Sequence, residues 1–138
     1  MRFKGFDNRE HTLSITDFMI YDDDEKSVSE PHTRARKILK SLFPCDKILE
    51  EVTLPGSRKN GSVLYADFFI PKKMLMVEVH GRQHYEYVPF FHVNKLGFVK
   101  SKLRDSDKRE WCEINDIEFV ELPYNLTDEE WREKIELR

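Results

Sequence analysis

The sequence predicts a mixed α/β protein, with a central mixed β-sheet flanked by helices in the order α-β-β-β-α-β-α. Three observations support this prediction. Four short segments are rich in β-branched and aromatic residues and alternate as strands do. Three other segments carry apolar residues at helical spacing. The chain has 138 residues, 39% of them hydrophobic, which suffices for one domain with a core of its own.

The first predicted helix spans Ser29–Phe43. Pro31 suits its first turn, with Ser29 or Glu30 as the capping residue. Pro44 ends the helix, because the residue before a proline is disfavoured in helical conformation. The apolar residues of this segment fall on one helical stripe: Ala35, Ile38, Leu39 and Leu42.

The segment before this helix shows no strong periodicity. We therefore expect residues 1–27 to form an N-terminal arm, with a short strand within residues 18–21. Residues 28–138 are then expected to form a single domain.

The rest of the chain alternates between strand and helix patterns. The long helix is expected to turn Leu103 and Trp111 inward. Thr127 followed by Glu130 is a capping box that opens a terminal helix, on which Trp131 and Ile135 share one face. The expected bounds are 48–54, 63–70, 75–80 and 117–122 for the strands and 99–115 for the long helix, with a turn over 71–74.

The charged residues, 36% of the chain, are unevenly distributed by sign. The net charge is −3 overall, but residues 1–30 carry −4 and residues 111–138 carry −6. Residues 31–71 carry +3 and residues 72–110 carry +4. A basic middle predicts a surface that a polyanion could recognise, although solvated Lys and Arg side chains would produce the same pattern.

The composition argues against a membrane or secreted protein. No apolar run approaches the ~18 residues of a membrane span, and the N-terminal residues lack an apolar signal segment. Cys45 and Cys112 are too few for a disulfide framework or a four-thiolate zinc site. We therefore expect a protein of the reducing cytosol with no membrane partner.

The two strands around the turn at 71–74 carry the most informative residues. Alternation places Asp67 on one face of the first strand and Glu78 on one face of the second. If the turn has two or four residues, paired positions sum to 145, so that Asp67 lies opposite Glu78. Directly opposed carboxylates have Cβ atoms ~5 Å apart and repel each other.

Two carboxylates at this separation share a proton, find a cation or hold a metal. Hard oxygen ligands on one sheet face suit Mg²⁺ or Mn²⁺ better than zinc. The alternative is a solvated face that tolerates the repulsion through neighbouring lysines. A turn of three or five residues would abolish the pairing altogether.

The segments Tyr65-Ala66-Asp67-Phe68-Phe69-Ile70-Pro71 and Val77-Glu78-Val79-His80-Gly81-Arg82-Gln83-His84 resemble the metal-binding hairpin of PD-(D/E)XK nucleases. The resemblance is strongest to very-short-patch-repair endonucleases and related phage or homing endonucleases. Arg104-Asp105 with Lys108 on the following helix is similar to their next motif. The resemblance covers roughly residues 29–124. It implies a restriction-endonuclease-like core and an enzyme in the cytosol of a bacterial or phage-infected cell.

The resemblance also implies roles for individual residues. Asp67 would be the central ligand of Mg²⁺ (or Mn²⁺), with Glu78 as the second acid and the Val79 carbonyl as a further ligand. The positions implied to act in catalysis are Asp67, Glu78, His80, His84, Lys108 and Glu30. His80 would occupy the place of the superfamily's lysine, and His84 is slightly favoured over His80 as the general acid or base, because Gly81 allows the chain to turn.

Lys108 would contact the scissile phosphate, and the alternative is an ion pair with Asp105 one turn away. Glu30 would be the outer acid, unless it simply caps its helix. The repair enzymes bind zinc beyond the hairpin, but residues 85–100 contain only His92 and no cysteine, so we expect no structural zinc.

The leading functional hypothesis is a Mg²⁺-dependent DNA endonuclease that hydrolyses phosphodiester bonds by nicking or strand-specific cleavage. The alternatives are a four-way-junction resolvase and an inactive module that binds DNA or a protein partner on a nuclease fold. A monomer and a homodimer both remain open. The basic residues expected to contact DNA are Arg34, Arg36, Arg82, Lys100, Lys102 and Arg104.

Overall fold

The computed structural model of the chain describes residues 1–15, 30–59, 61–81 and 95–138. A short 3₁₀ helix at Pro71–Lys73 lies between the fourth and fifth strands. The strands and α-helices of these ranges are β1 (Arg2–Lys4), β2 (Glu10–Thr12), α1 (Glu30–Leu42), β3 (Leu49–Thr53), β4 (Tyr65–Ile70), β5 (Leu75–His80), α2 (Lys95–Ile114), β6 (Glu118–Pro123) and α3 (Asp128–Glu136).

The central sheet has four strands in the order β3-β4-β5-β6. β3, β4 and β5 are successive antiparallel neighbours, and β6 runs parallel to β5. A parallel neighbour requires a crossover, and α2 supplies it between β5 and β6. The predicted class, a mixed α/β fold with a mixed sheet flanked by helices, is confirmed. The predicted order of elements is found from α1 to α3.

Each face of the sheet has its own apolar core. Phe68 and Val77 belong to the core that also contains residues of α1 and α3, among them Leu39 and Trp131. On the other face, Phe69 and Met76 pack with Trp111 and Cys112 of α2 and with Phe3 of β1. Because neighbouring residues of a strand point to opposite faces, the alternation in β4 and β5 feeds both cores.

The β1–β2 hairpin is a feature that the sequence analysis did not predict. Phe3 is 3% exposed, and its ring lies 5.7 Å from Phe69 and 5.4 Å from Trp111, measured between centroids. A Cβ on Gly5 would lie 2.8 Å from the Cα of Gly56, so this close approach requires glycine. The strand expected within residues 18–21 lies outside the described residues.

The long helix begins four residues earlier than expected, at Lys95. Trp111 is 1% exposed, as predicted, but Leu103 is 45% exposed, so its predicted inward position is wrong. The buried side chains of α2 lie in its C-terminal half, which covers the sheet, whereas Leu103 lies in the half before it.

The terminal helix follows the predicted pattern. The Oγ1 atom of Thr127 accepts a hydrogen bond from the backbone N–H of Glu130, and the Glu130 side chain accepts one from the backbone N–H of Thr127. This is the expected capping box. Trp131 and Ile135 are fully buried, as predicted. None of the helices in the described ranges combines the length and apolar character that a bilayer crossing needs.

Candidate active site

The β4–β5 ladder has the register in which paired positions sum to 145. Phe68 pairs with Val77 and Ile70 pairs with Leu75. The connection is the four-residue segment 71–74, in which Met74 adopts a left-handed conformation (φ 46°) that reverses the chain. The observed pairs end at Phe68 and Val77; Asp67 and Glu78 follow one residue further along each strand, and a hydrogen bond from the backbone of Asp67 to the Glu78 side chain brings the two acids together.

The carboxylates of Asp67 and Glu78 are held by each other's strands. The backbone N–H of Asp67 donates to Oε2 of Glu78 at 3.1 Å. The backbone N–H of Val79 donates to Oδ2 of Asp67 at 2.8 Å. These hydrogen bonds lie just past the last ladder pair of β4 and β5, and strand alternation puts both side chains on the face of Phe69 and Met76.

Lys108 of α2 provides the nearest cation. Its Nζ lies 2.8 Å from Oε1 of Glu78, with the Lys108 side chain 16% exposed and the Glu78 side chain 1% exposed. The sequence analysis considered the scissile phosphate and Asp105 as partners of Lys108, and it did not predict this contact with Glu78. An ammonium and two carboxylates therefore form one compact group, with Asp67 partly exposed beside the buried Glu78.

Burial raises the pKa of Glu78 well above its usual value, and the nearby charge of Asp67 raises it further, while Lys108 opposes this. Burial alone would lower the pKa of Lys108, but the carboxylates of Glu78, Asp67 and Asp105 outweigh it and raise that pKa. The ammonium therefore stays charged, whereas a second negative charge beside Asp67 is disfavoured at Glu78, and an additional cation would favour the ionised form of this acid.

The donor set suits a hard divalent cation. Asp67, Glu78 and the carbonyl of Val79 offer oxygen atoms, and Mg²⁺ is commonly held by one or two carboxylates while it keeps several waters. Within the described ranges, no group of three or more His, Cys, Asp or Glu side chains is arranged to hold a metal. A cation here would thus depend on the acid pair, the Val79 carbonyl and water.

His80, at the end of β5, lies between two further carboxylates. Its Nδ1 is 3.1 Å from Oε1 of Glu121, and its Nε2 is 3.9 Å from Oδ1 of Asp105. The ring is only 3% exposed. It borders a cavity of about 280 Å³ whose lining residues are His80, Lys102, Asp105, Ser106, Arg109 and Glu121.

Glu121 is a candidate site residue that the sequence analysis missed. On β6 it pairs with Glu78 across the parallel ladder. The alternation of side chains along β6 could have revealed it, because it places Glu121 on the same face as Phe119, which packs against the core on the α2 side of the sheet. A glutamate on an apolar strand face is the same anomaly that identified Glu78.

The remaining site residues predicted from the sequence are dispersed. Glu30 is the exposed first residue of α1, on the helix that packs against the opposite face of the sheet. Lys100, Lys102 and Arg104 are exposed on the N-terminal half of α2. His84 and Arg82 lie outside the described residues.

The two arginines of α1 that were expected to contact DNA have partners within the fold. Arg34 pairs with Asp128, and its guanidinium lies 3.7 Å from the centre of the Trp131 ring. Arg36 donates two hydrogen bonds of 2.8 Å to the carboxylate of Glu50. Contacts of these arginines with DNA phosphates would have to compete with these interactions.

Glu50 forms a second buried polar cluster, on the α1 side of the sheet. It is 3% exposed and lies 2.6 Å from Nε2 of His32, whose ring stacks on Phe68. Burial raises the pKa of Glu50, but the hydrogen bonds from His32 and Arg36 outweigh it and hold that pKa below its usual value. Because the carboxylate of Glu50 on β3 forms hydrogen bonds with His32 and Arg36 of α1, this cluster stabilises the packing of α1 against β3.

Comparison with known proteins finds relatives among iridescent viruses. The chain is 35% identical over 135 residues to "Uncharacterized protein 307L" of Invertebrate iridescent virus 6, covering 86% of this chain and 66% of that protein. It is 39% identical over 66 residues to "Uncharacterized protein 033L" of Invertebrate iridescent virus 3, covering 48% of this chain and 34% of that protein.

A third relative is "Uncharacterized protein 094L" of Frog virus 3 (isolate Goorha), 37% identical over 69 residues, or 49% of this chain and 44% of that protein. The chain thus spans between one third and just under two thirds of the length of these relatives. No protein-family model matches the chain, and no solved structure matches it.

Proposed function

We propose that this protein is a metal-dependent DNA endonuclease whose active centre is built on Asp67 and Glu78. The observation that carries the proposal is the placement of two carboxylates side by side at the end of the β4–β5 ladder, each bonded to the other strand. Two adjacent carboxylates on a sheet face repel each other and destabilise the fold unless a cation binds between them. Lys108 offsets part of the charge, and a divalent cation would offset the remainder.

The topology supports the proposal. The resemblance of the hairpin to PD-(D/E)XK nucleases implies an α-β-β-β-α-β-α order with the acids on the second and third strands of the domain. The structure has this order from α1 to α3, and the acids lie on β4 and β5, the two central strands. We therefore propose a restriction-endonuclease-like core for residues 30–138.

Phosphodiester hydrolysis needs an in-line water, neutralisation of the phosphoryl oxygens and a proton for the leaving oxygen. A bound divalent cation would supply charge neutralisation and activate water when held by Asp67, Glu78 and the Val79 carbonyl. Lys108, already 2.8 Å from Glu78, would orient that acid and add positive charge beside the phosphate. His80 would accept or donate a proton at Nε2.

DNA is proposed as the substrate on the resemblance and on the charge of α2. Lys100, Lys102 and Arg104 are exposed on this helix, which also carries Lys108 to the acid pair. A backbone running along α2 would meet these cations before it reached the carboxylates. Such contacts position the duplex without reading its sequence.

The test is cleavage of supercoiled plasmid by the full chain with and without Mg²⁺ or Mn²⁺. The wild type is expected to convert plasmid to nicked or linear form only with the metal, and Asp67→Asn is expected to lose at least 100-fold in rate. Asp116→Asn is the matched control, because Asp116 is exposed and its left-handed backbone (φ 54°) suits asparagine.

Equal cleavage by wild type and Asp67→Asn would place the active centre elsewhere. Failure of the wild type to cleave linear, supercoiled and branched DNA with either metal would contradict the nuclease proposal. Preference for a four-way junction, with a dimer in solution, would point to the resolvase alternative.

A further inference from the structure

A cleft of about 300 Å³ lies between the N-terminal half of α2 and the segment 57–64. Its apolar lining comes from Leu64, which is 3% exposed, and from Leu103, which is 45% exposed. The sequence pattern predicted that Leu103 faces the core, but its side chain borders this cleft instead. Exposed apolar surface inside a concave site is surface that a ligand can cover.

Both walls of the cleft are held by hydrogen bonds within the fold. The Oγ atom of Ser57 donates to the carbonyl of Leu54 at 2.7 Å and accepts from the backbone N–H of Leu64 at 2.8 Å. The indole N–H of Trp111 on α2 donates to the carbonyl of Pro55 at 3.0 Å, which ties the other wall to the same segment. The cleft is therefore preformed, and a ligand would not have to order its walls on binding.

Basic side chains lead from the cleft to the acid pair. Lys100 and Arg104 line the cleft and are exposed. Lys108, whose ammonium contacts Glu78, follows Arg104 after one helical turn. Residues four apart share a helix face and are separated by about 6 Å along the axis, so the three cations form one row on α2. This row favours an anionic chain that runs from the cleft toward the acids.

Asp107 determines which part of such a chain fits the interior of the cleft. It is 5% exposed and belongs to the lining. It also interacts within the fold, so that it contributes a negative charge to the cleft rather than a contact to a ligand. A carboxylate repels a phosphate but not an uncharged base, whose flat faces pack against apolar side chains. The interior therefore suits a base, and the rim suits its phosphate.

We propose that this cleft holds an unpaired nucleotide of single-stranded DNA, with its base against Leu64 and Leu103 and its phosphate at Lys100 and Arg104. As a statement about substrate, this inference rests on the proposed nuclease function. The strand passes along α2 to the acid pair, which selects DNA in which an unpaired strand meets a duplex, such as a flap or a branch. An uninterrupted duplex presents phosphates to α2 but no free base face, and leaves the apolar lining uncovered.

The first test measures binding and does not depend on activity. Fluorescence anisotropy of a labelled oligothymidylate, and of a duplex of the same length, is measured with the full chain in the absence of metal. Leu103→Gln is expected to weaken binding of the single strand by roughly 10-fold and binding of the duplex by less than about 2-fold. Arg104→Gln is expected to weaken both, because it removes a phosphate contact, whereas Arg132→Gln on α3 should weaken neither.

Leu96→Gln is the matched control for Leu103→Gln. Leu96 lies two turns earlier on α2, is 60% exposed and is not among the described residues that line the cleft. It is expected to leave both affinities unchanged. In NMR spectra, oligothymidylate should shift the methyl signals of Leu64 and Leu103 but not those of Leu96. No binding of the single strand by the wild type, equal losses in Leu103→Gln and Leu96→Gln, or an unshifted Leu64 would overturn the proposal.

The second test separates this inference from the proposed function. With Mg²⁺, the wild type is expected to cut a flap substrate faster than an uninterrupted duplex, and Leu103→Gln is expected to reduce this preference by roughly 10-fold. An active wild type with the same preference in Leu103→Gln would refute the role of the cleft and leave the nuclease intact. An inactive wild type that still binds the single strand through Leu103 would refute the nuclease proposal and leave the cleft as a binding site for single-stranded DNA.

Discussion

Replacing Lys108 with methionine tests the electrostatics of the acid pair most sharply. The substitution keeps much of the side-chain volume but removes the ammonium that lies 2.8 Å from the buried Oε1 of Glu78. At an effective dielectric constant of about 20, two charges at this distance attract by ~6 kcal/mol before desolvation is subtracted. Loss of one member of a buried pair typically costs ~3–5 kcal/mol.

Glu78 has an alternative that limits this cost. Without Lys108, Glu78 can bind a proton in the folded state. At pH 7, which is ~2.5 pH units above the usual pKa of 4.5, protonating a carboxylate costs about 1.4 kcal/mol for each unit. The loss of stability in Lys108→Met is therefore expected to be at most about 3.4 kcal/mol at pH 7.

The sign of the pH dependence follows from the same shift. A carboxyl group whose folded pKa is raised favours folding below its unfolded pKa, and this contribution is lost as pH rises through the folded pKa. The cost of Lys108→Met is accordingly expected to fall to at most about 1.4 kcal/mol at pH 5.5. Urea unfolding followed by the fluorescence of the buried Trp111 and Trp131 measures both values.

The double variant Lys108→Met with Glu78→Gln is the control. The amide introduced by Glu78→Gln cannot ionise, so the effect of Lys108→Met measured in this background should be small and independent of pH. If Lys108→Met costs the same with and without Glu78, or if its cost does not shrink at pH 5.5, the two side chains are not coupled as described.

Three further predictions concern the rest of the molecule. Arg36→Met is expected to lower the free energy of unfolding by about 3 kcal/mol at pH 7, and this loss should shrink as pH falls through the lowered pKa of Glu50. Urea unfolding at pH 7 and pH 3.5 measures the loss, and a loss that does not depend on pH would contradict the prediction. Phe3→Ala is expected to lower the free energy of unfolding by ~3–5 kcal/mol, because the β1–β2 hairpin docks through this ring; a change below 1 kcal/mol would show that the hairpin does not contribute to the core. Lys102→Gln is expected to reduce the slope of log affinity against log salt for duplex DNA by about 1, whereas Lys134→Gln on α3 should leave that slope unchanged; equal slopes in all three proteins would remove α2 from the DNA interface.

The elements that the sequence predicts well are those whose pattern is local. The capping box of Thr127 and Glu130 needs only four consecutive residues. The four-residue connection at 71–74 sets the register of β4 and β5, and with it the approach of Asp67 to Glu78 just beyond the last pair. In each case a short stretch of chain determines the geometry.

The features that the sequence does not predict depend on contacts between distant segments. Phe3 is buried because it meets Phe69 and Trp111, and nothing in the sequence pattern of residues 1–15 indicates this. Leu103 has helical spacing relative to Trp111, yet it is exposed, because burial on α2 is confined to the half of the helix that follows it.

The same limit applies to the candidate site. The contact between Lys108 and Glu78 requires the docking of α2 on the sheet, which neither segment encodes alone. The contact between Glu121 and His80 requires the parallel pairing of β5 and β6 across the crossover. The alternation of side chains along a strand predicts which residues share a face, but the order of the strands in the sheet determines which of them come into contact.

Binding of Mn²⁺ to the full chain in the absence of nucleic acid, followed by the loss of the free-ion signal in electron paramagnetic resonance, tests most directly whether the acid pair holds a divalent cation. Saturable binding is expected in the wild type and in Asp116→Asn, with Asp67→Asn weakened at least 10-fold, which is about 1.4 kcal/mol. Competition by Mg²⁺ should displace the bound Mn²⁺. Equal affinity in wild type and Asp67→Asn, or no binding in either, would contradict a metal site at Asp67 and Glu78.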